Sequence, residues 1–353
     1  MWATVAAADP ATMAFQTPAW RDCVCSGSGW HDASRLYETP DGRQLVLMMA
    51  RRPGLPAGLA VEASWPPGWG TGGLLAPGGV RPDEVALVST DLARGRAISA
   101  SVRPGFRAAP AWRAASGAAF VIPRAVHVAH FGGPFTDFWE QSVTPRGRAN
   151  IKAARRKLDS AGITITDGNS PALLEAFYRV YLRWIDRRAA QRGVPAAVAR
   201  WQARRAEPFS KFTAVASRLG EDCRIWVAWW DGRPVGATIS LYAGETAIGW
   251  RCFADRSVSA RFRLSEILMT ESLKHACDSG CRYLEMGESV GKASLANIKE
   301  RIGGQEHTFA EYCFDRLPLS RGRIAFQRAR GRAEDWILSR RPPADAARTG
   351  ETA

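Results

Sequence analysis

The chain has 353 residues, of which 46% are hydrophobic and 23% are charged. This length allows two domains of ordinary size, and the composition is that of a globular protein rather than a disordered or fibrous one. No apolar run approaches the roughly 20 residues that a membrane span needs. The N-terminus lacks the basic and apolar regions of a secretory signal, so a cytoplasmic protein is expected.

The charge balance is strongly basic. Forty-eight Lys and Arg residues against 34 acidic residues give a net charge of +14, and only six of the basic residues are Lys. Because guanidinium groups bind phosphates and carboxylates in bidentate fashion, the Arg excess favours an anionic partner such as coenzyme A, a nucleotide-linked precursor or tRNA. Genomic base composition explains the excess equally well. No DNA partner is expected.

The cysteines and histidines indicate no metal site. The seven cysteines form no zinc-type pair of CxxC motifs, and the five histidines form no HExxH motif. Buried, reduced thiols are therefore expected, and no metal cofactor is predicted.

The first half of the chain begins with a short helix near Pro18 and a strand over residues 43–50. A Pro- and Gly-rich passage follows over 53–79, and in it GWGTGG (Gly68 to Gly73) is either a plain surface turn or a loop whose amides approach an anion. Its spacing is neither that of a P-loop nor GxGxxG. Mixed helix and strand patterns then close a first domain near Phe135.

An Arg-rich helix is predicted from Pro145 to Ala161, with Thr144 as its cap and Gly162 as its stop. Basic residues in its first turn oppose the helix dipole unless an anion answers them, so Arg148 and Lys152 are candidate substrate-binding residues. A solvated helix face is the alternative. The residues on the basic face are Arg146, Arg148, Lys152, Arg155, Arg156 and Lys157.

Two helical segments follow, over residues 171–192 and 196–219. Their aromatic stripe is typical of a packed core rather than of a surface that stacks on bases. Pro195 and Pro208 interrupt the pattern, so no long coiled-coil arm is predicted.

The next stretch predicts three strands, a helix and a fourth strand. Three β-rich runs between Cys223 and Phe253 are separated by DG and GE turns, which is typical of an antiparallel meander. A polar loop over 254–263 leads into a helix from Leu264 that stops at Gly280. CRYLEM then predicts another strand.

This order resembles the second half of a GNAT-type N-acyltransferase domain. The likeness is carried by the segment LSEILMTESLKHACDSGCRYLEMGES and by IKERIGG, which follows it. The closer resemblance is to the Fem-like and BioF-like acetyltransferase groups, in which an acidic residue ends the strand and a Lys and a Gly follow. Glu285, Lys299 and Gly303 occupy those places. Two further segments are similar to parts of these groups, RGRANIKAARRKLDSAGITI and SWPPGWGTGGLL. The likeness therefore extends from about Ala63 to Phe314.

The resemblance implies an α/β (α+β) fold with two GNAT-like domains, each a mixed sheet flanked by helices. We expect a degenerate N-terminal domain over 1–140 and an acyltransferase domain over 141–316. A basic helix over 317–341 either docks on the second domain or makes a peripheral membrane contact. The tail over 342–353 has a disordered composition.

The resemblance also implies site residues. Glu285 is expected as general base or substrate anchor, with Glu288 second, and Lys299 as the group that neutralises an anionic donor or intermediate. A structural ion pair of the acidic residue is the alternative. Trp250 and Arg251, on the third strand of the meander, are candidates to line the acyl or acceptor pocket.

The implied donor is acetyl-CoA or another acyl-CoA. GNAT domains hold its phosphates on a glycine-rich turn, whereas residues 256–263 contain no glycine, so Arg261 and Arg263 are the candidates for that role. The implied acceptor is an amine on a sugar, a peptide precursor or a small metabolite, as in cell-envelope or polysaccharide biosynthesis. The alternatives are a Fem-type transferase that uses aminoacyl-tRNA, and a catalytically silent module that binds a nucleotide-linked glycan.

Overall fold

The computed structural model describes residues 1–289, 293–322, 324–326 and 329. Within these ranges the α-helices are α1 (Trp2–Ala8), α2 (Pro18–Ser28), α3 (Pro82–Arg94), α4 (Ala109–Ala115), α5 (Phe135–Gln141), α6 (Pro145–Ser160), α7 (Pro171–Arg192), α8 (Ala196–Ala206), α9 (Phe209–Leu219), α10 (Arg256–Phe262), α11 (Leu264–Asp278) and α12 (Ala293–Arg301). The strands are β1 (His31–Asp32), β2 (Arg35–Glu38), β3 (Gln44–Met48), β4 (Ala50–Arg51), β5 (Val61–Ala63), β6 (Gly73–Leu75), β7 (Ser99–Val102), β8 (Phe120–His130), β9 (Thr164–Gly168), β10 (Cys223–Trp230), β11 (Arg233–Ala243), β12 (Thr246–Ala254), β13 (Tyr283–Glu288) and β14 (Gln305–Asp315).

Most of the described strands form one continuous sheet. Its eleven strands lie in the order β1-β4-β5-β7-β14-β8-β13-β12-β11-β10-β9, and β2, β3 and β6 form a small second sheet. The pairs β5/β7 and β12/β13 run parallel, whereas the other pairs within the described strands are antiparallel. The predicted fold class, mixed sheets flanked by helices, is confirmed.

The two halves of the chain meet at the centre of the large sheet. The last strand, β14, returns to the first half and lies between β7 and β8. β8 pairs in turn with β13 of the second half. The sheet is therefore hydrogen-bonded across the join, and the boundary expected between residues 140 and 141 stays a prediction.

The meander β10–β12 forms as the sequence indicates. Asp231 and Gly232 link its first two strands with φ angles of 48° and 70°, the left-handed conformation that a two-residue hairpin needs. Gly244 turns the chain into β12 with φ 50°. The helix expected from Leu264 is α11, and Gly280 beyond its end has φ 79°. These predictions are confirmed.

Helices cover both faces of the second half of the sheet. α6, α10 and α11 pack on one face, in a core that includes Leu158, Phe262 and Met286. α2, α7 and α9 pack on the other face, in a core that includes Trp20 and Phe212. Because side chains of a strand alternate between faces, Leu284 and Met286 of β13 lie toward α11, and the residue between them points the opposite way.

Two sequence expectations were incomplete or wrong. The polar loop expected over 254–263 is largely the helix α10, because Val258 and Phe262 are spaced four apart and both are buried. Asp255 occupies the N-cap position of that helix. The N-terminal helix α1 was not predicted, since its Ala-rich sequence has little periodicity.

The C-terminal expectations lie mostly beyond the part of the chain that the structure describes. The basic helix expected over 317–341 falls largely outside the described residues, and the tail over 342–353 falls entirely outside them. No helix within the described ranges is both long and apolar enough to cross a bilayer.

Candidate active site

The candidate active site lies where the parallel strands β12 and β13 separate. Their pairing covers three positions, from Thr246 opposite Tyr283 to Ile248 opposite Glu285. Beyond Ile248, the described residues of β12 pair with β11 alone. The strands therefore enclose a gap that opens toward their C-terminal ends.

Local irregularities in both strands accompany this gap. β12 shifts register against β11 at Trp250, and β13 shifts register against β8 between Glu285 and Glu288. Gly287 lies in the second irregularity with φ 77°, a conformation that favours glycine. Such bulges bend a strand and increase its twist, so each strand curves away with its outer neighbour. The gap follows from this curvature.

Glu285 lies at the closed end of the gap. Glu285 is 7% exposed. Burial and, to a lesser extent, the neighbouring charge of Glu288 together raise the pKa of its carboxyl to about 7. Lys299 opposes this increase. A carboxyl with a pKa near neutrality can take up a proton at physiological pH, as the predicted role of general base requires.

Lys299, on α12, lies beside the same strand end. It is 3% exposed, and its Nζ donates to the carbonyl oxygen of Gly287 at 2.7 Å and to that of Glu288 at 3.4 Å. Gly303, just after α12, has φ 93°, and a Cβ there would lie 2.6 Å from the Phe138 ring. The turn after α12 therefore requires glycine at this position.

Glu288 is the partly exposed end of a chain of ion pairs that the sequence did not reveal. Its carboxylate contacts Arg124 of β8 at 3.3 Å, and Arg124 contacts Glu311 of β14 at 2.7 Å. Arg103 completes the chain, 3.1 Å from Glu311. These contacts join β13 to strands of the first half. The sequence signal was an Arg within a strand, β8, that is mostly apolar.

Trp250 and Arg251 lie in a buried cluster behind β12. Trp250 is 6% exposed, and its ring packs 5.3 Å from that of Phe212. Arg251 donates to the carbonyl of Gly68 at 2.7 Å and to the Glu207 carboxylate at 2.9 Å. Arg251 thus joins the second half to the glycine loop, and the part of both residues in binding substrate stays a prediction.

Lys211 of α9 is the centre of this cluster and was missed from the sequence. It is 1% exposed, and its Nζ donates to the Gly68 carbonyl at 2.8 Å and to Glu207 at 3.0 Å. The ammonium also lies 4.2 Å from the centre of the Trp69 ring. Burial lowers its pKa to about 8. The glycine loop therefore presents a carbonyl to two cations here, rather than amides to an anion.

The Arg-rich helix α6 begins at the predicted Pro145 and ends at Ser160, one residue before the predicted Ala161. The Thr144 hydroxyl accepts from the Gly147 amide at 3.0 Å, so the predicted cap is confirmed. Arg148 donates to the carbonyl of Glu140 at 2.7 Å and to that of Val143 at 2.5 Å, which occupies its guanidinium at the end of α5. Lys152 is exposed. The expected substrate contacts of Arg148 and Lys152 stay predictions.

Arg263 and Arg261 lie at the junction of α10 and α11. Arg263 has φ 51° between the two helices and bonds Glu266 at 2.9 Å. Arg261 is exposed at the end of α10. The first turn of α11 therefore carries a buried carboxylate, and the structure does not present it as an open phosphate site.

No group of three or more potential metal-binding side chains comes together among the residues that the structure describes.

Comparisons with known proteins agree with this geometry. Residues 145–293 match the family model described as an acetyltransferase (GNAT) domain. The chain is similar in structure to FemX, with a TM-score of 0.62 and 12% identity over 92% of this chain and 97% of that one. It is also similar to the C-terminal domain (DUF2156) of a putative lysylphosphatidylglycerol synthetase from Agrobacterium fabrum, with a TM-score of 0.52 and 11% identity over 89% and 91% of the two chains. No curated protein sequence matches significantly.

The second half of the chain thus contains a GNAT acetyltransferase domain. The fold is similar to that of FemX over 92% of this chain, and the resemblance to a Fem-like protein of the GNAT fold that was found in the sequence is confirmed.

Proposed function

We propose that this chain is an N-acyltransferase in which Glu285 accepts a proton from the amine that is acylated. The observation that carries the proposal is the position of Glu285, buried at the closed end of the gap between β12 and β13, with its pKa raised to about 7. A base with such a pKa is half ionised at neutral pH and still strong enough to deprotonate the attacking nitrogen as its bond to carbon forms.

The reaction needs no covalent intermediate with the protein. The amine nitrogen attacks the carbonyl carbon of the donor as its proton passes to Glu285, and the resulting tetrahedral species collapses to the amide when its bond to the donor's sulfur or oxygen breaks. The leaving thiolate or alkoxide takes up a proton from protonated Glu285 or from solvent. The edge of β12 beyond Ile248 faces the gap rather than a paired strand. Backbone N–H groups on such an edge suit the developing oxyanion. Lys299 adds a fixed positive charge beside Glu285.

The two substrates are assigned to opposite faces of the sheet. Glu288 and Arg124, with side chains 31% and 25% exposed, lie on the side of Glu285 that faces the first half of the chain. An amine acceptor from a sugar, peptide precursor or small metabolite approaches there. The acyl donor enters the gap from the face covered by α6, α10 and α11.

An acyl-CoA is the first candidate donor, because residues 145–293 match a GNAT acetyltransferase domain. The first turn of α11 favours a second candidate, an aminoacyl ester of tRNA. In that turn Glu266 is buried, and its own amide donates to the Arg263 carbonyl at 2.9 Å. A carboxylate where a helix N-terminus would hold pyrophosphate opposes binding of coenzyme A in that manner.

The test is a transfer assay with purified full-length protein, in which acetyl-CoA, a longer acyl-CoA and an aminoacyl-tRNA are each incubated with a panel of primary amines. We expect mass spectrometry to detect an amide product with one donor class. Glu285→Gln should lower its rate of formation by about 10²- to 10⁴-fold, the usual contribution of a general base.

Glu175→Gln is the matched control, since it removes an exposed carboxylate of α7 that lies outside the candidate site. Equal rates for wild type and Glu285→Gln would contradict the proposed role of Glu285. An amide product with aminoacyl-tRNA but with neither acyl-CoA would select the second donor.

A further inference from the structure

A groove between α6 and α10 carries a cluster of basic side chains that the proposed reaction has not used. The groove has a volume of about 610 Å³, and Arg156 and Lys157 from α6 face Arg261 from α10 across it. Phe262 contributes to its floor, and Ser160 adds a hydroxyl. The groove is open to solvent, because all three basic side chains belong to exposed residues.

These three cations differ from the other basic residues of the same region. Arg148 binds backbone carbonyls at the end of α5, Arg155 pairs with Glu271 of α11, and Arg263 pairs with Glu266. Within the described part of the chain, Arg156, Lys157 and Arg261 form no ion pair. The guanidinium of Arg261 lies 4.9 Å from the centre of the Phe262 ring. Three like charges around one groove repel each other unless an anion binds between them.

The groove lies on the side of the sheet from which the donor enters. α10 begins two residues after β12 ends, so one wall of the groove continues the strand that borders the gap. Leu158 of α6 and Phe262 of α10 share a buried core with Met286 of β13. Glu285 points to the opposite face of the sheet. A donor lying in the groove can thus place its acyl group in the gap, with the acceptor amine beyond.

The neighbouring helix end is unsuited to the same task. Ser259 Oγ lies 3.4 Å from the Ser265 amide, and Glu266 places a buried carboxylate in the first turn of α11. This carboxylate forms an ion pair with Arg263 at 2.9 Å. We therefore expect phosphates to bind at the three cations of the groove, beside the first turn of α11, and not at the turn itself.

We propose that the groove lined by Arg156, Lys157 and Arg261 binds the phosphate-bearing part of the acyl donor. This inference rests on the proposed function, because it assigns one substrate of that reaction. Phosphate monoesters and diesters are recognised by the same cations, so the groove accepts the 3′-phospho-ADP part of an acyl-CoA or the phosphodiester backbone near the end of a tRNA.

The test measures binding without chemistry. Adenosine 3′,5′-bisphosphate and a deacylated tRNA are titrated separately into the full chain at low salt, and dissociation constants are obtained by calorimetry and by fluorescence anisotropy. The variant Arg156→Glu/Arg261→Glu should bind one probe at least about tenfold more weakly, because two charge-assisted contacts are replaced by repulsion. Arg94→Glu/Arg96→Glu, with the same change in net charge on exposed residues of the first half, should bind like wild type.

The outcomes distinguish the two sources of phosphate, acyl-CoA and tRNA. They also distinguish a failure of this inference from a failure of the proposed function. Loss of bisphosphate binding assigns the groove to acyl-CoA, and loss of tRNA binding alone assigns it to tRNA. Unchanged affinity of the groove variant for both probes, or no binding of either probe to wild type, overturns the inference. The transfer assay with Glu285→Gln tests the proposed function independently, since that variant should bind both probes like wild type and lose only the transfer reaction.

Discussion

Lys299 donates a hydrogen bond of 2.7 Å from its buried Nζ to the carbonyl oxygen of Gly287. The contact fixes a positive charge at the bulge of β13, where the strand begins to leave β12. Because this charge opposes the effects of burial and of Glu288 on the pKa of Glu285, it keeps that pKa near neutrality. Lys299 is therefore a positioning residue whose charge tunes the proposed base.

Replacement of Lys299 tests this relationship. We expect Lys299→Met to raise the pKa of Glu285 above its value of about 7, since the stabilising charge is lost while burial and Glu288 remain. The variant should also lose about 1 to 3 kcal/mol of stability, because the Gly287 carbonyl is left without its donor. Carboxyl ¹³C NMR titration of glutamate-labelled protein measures the pKa. Lys299→Arg keeps the charge, and a shift as large as that of Lys299→Met would argue against an electrostatic cause.

Glu285 should make the stability of the protein fall as pH rises through neutrality. Its folded pKa of about 7 lies above the ordinary value of 4.5, so the folded state holds the proton more tightly over that range. At pH 8 the buried charge costs about 3 kcal/mol relative to the protonated form. Glu285→Gln should therefore be more stable than wild type by up to this amount at pH 8, and equally stable near pH 4.5.

Urea unfolding of both proteins across pH 4.5 to 8 measures this difference. Glu175→Gln serves as the control, because a single exposed carboxylate on α7 is expected to change the free energy of unfolding by less than about 1 kcal/mol. A constant stability difference between Glu285→Gln and wild type at all pH values would mean that Glu285 does not titrate near neutrality.

Lys211 should produce the opposite trend at alkaline pH. Burial lowers its pKa from 10.5 to about 8, so between these values the unfolded chain binds more protons and stability rises with pH. The rise attributable to this group is about 3 kcal/mol over the whole window. Lys211→Met should lack it, and Lys274→Met, which changes a lysine 59% exposed on α11, should retain it. Parallel curves for wild type and Lys211→Met between pH 8 and 10 would contradict this expectation.

The gap between β12 and β13 can be blocked at Gly249. A Cβ at this position would lie 3.5 Å from the carbonyl oxygen of Glu285 and 3.9 Å from Cα of Met286, which are ordinary contacts. Gly249→Ala should therefore fold normally. The larger Gly249→Val should keep a similar melting temperature and lose about a hundredfold in transfer rate, because the donor carbonyl is displaced. Full activity in a folded Gly249→Val protein would place the donor elsewhere.

The elements that form through local interactions could be predicted from the sequence. The meander depends on the turn at Asp231 and Gly232, and α6 depends on the cap at Thr144. The position of β14 could not be predicted, since its partners β7 and β8 lie about 200 residues earlier in the chain. A propensity pattern contains no information about such pairing.

The candidate site could be predicted only in part from the sequence, for the same reason. Glu285 and Lys299 followed from a family resemblance, but their burial and contacts depend on the bulges of β12 and β13. Lys211 was missed because a lysine in a helix ordinarily indicates a solvated face. Its burial depends on Gly68 and Trp69 of the glycine loop, which the fold brings to it from the first half of the chain.

The pH dependence of single-turnover transfer, measured with saturating donor for wild type and Glu285→Gln, tests the role of Glu285 most directly. For wild type, the rate should rise tenfold per pH unit below neutrality and level off near pH 7, as Glu285 becomes ionised. Glu285→Gln should show a rate lower by about 10²-fold or more and no inflection near pH 7. An inflection near pH 7 that persists unchanged in Glu285→Gln would contradict the assignment of Glu285 as the base.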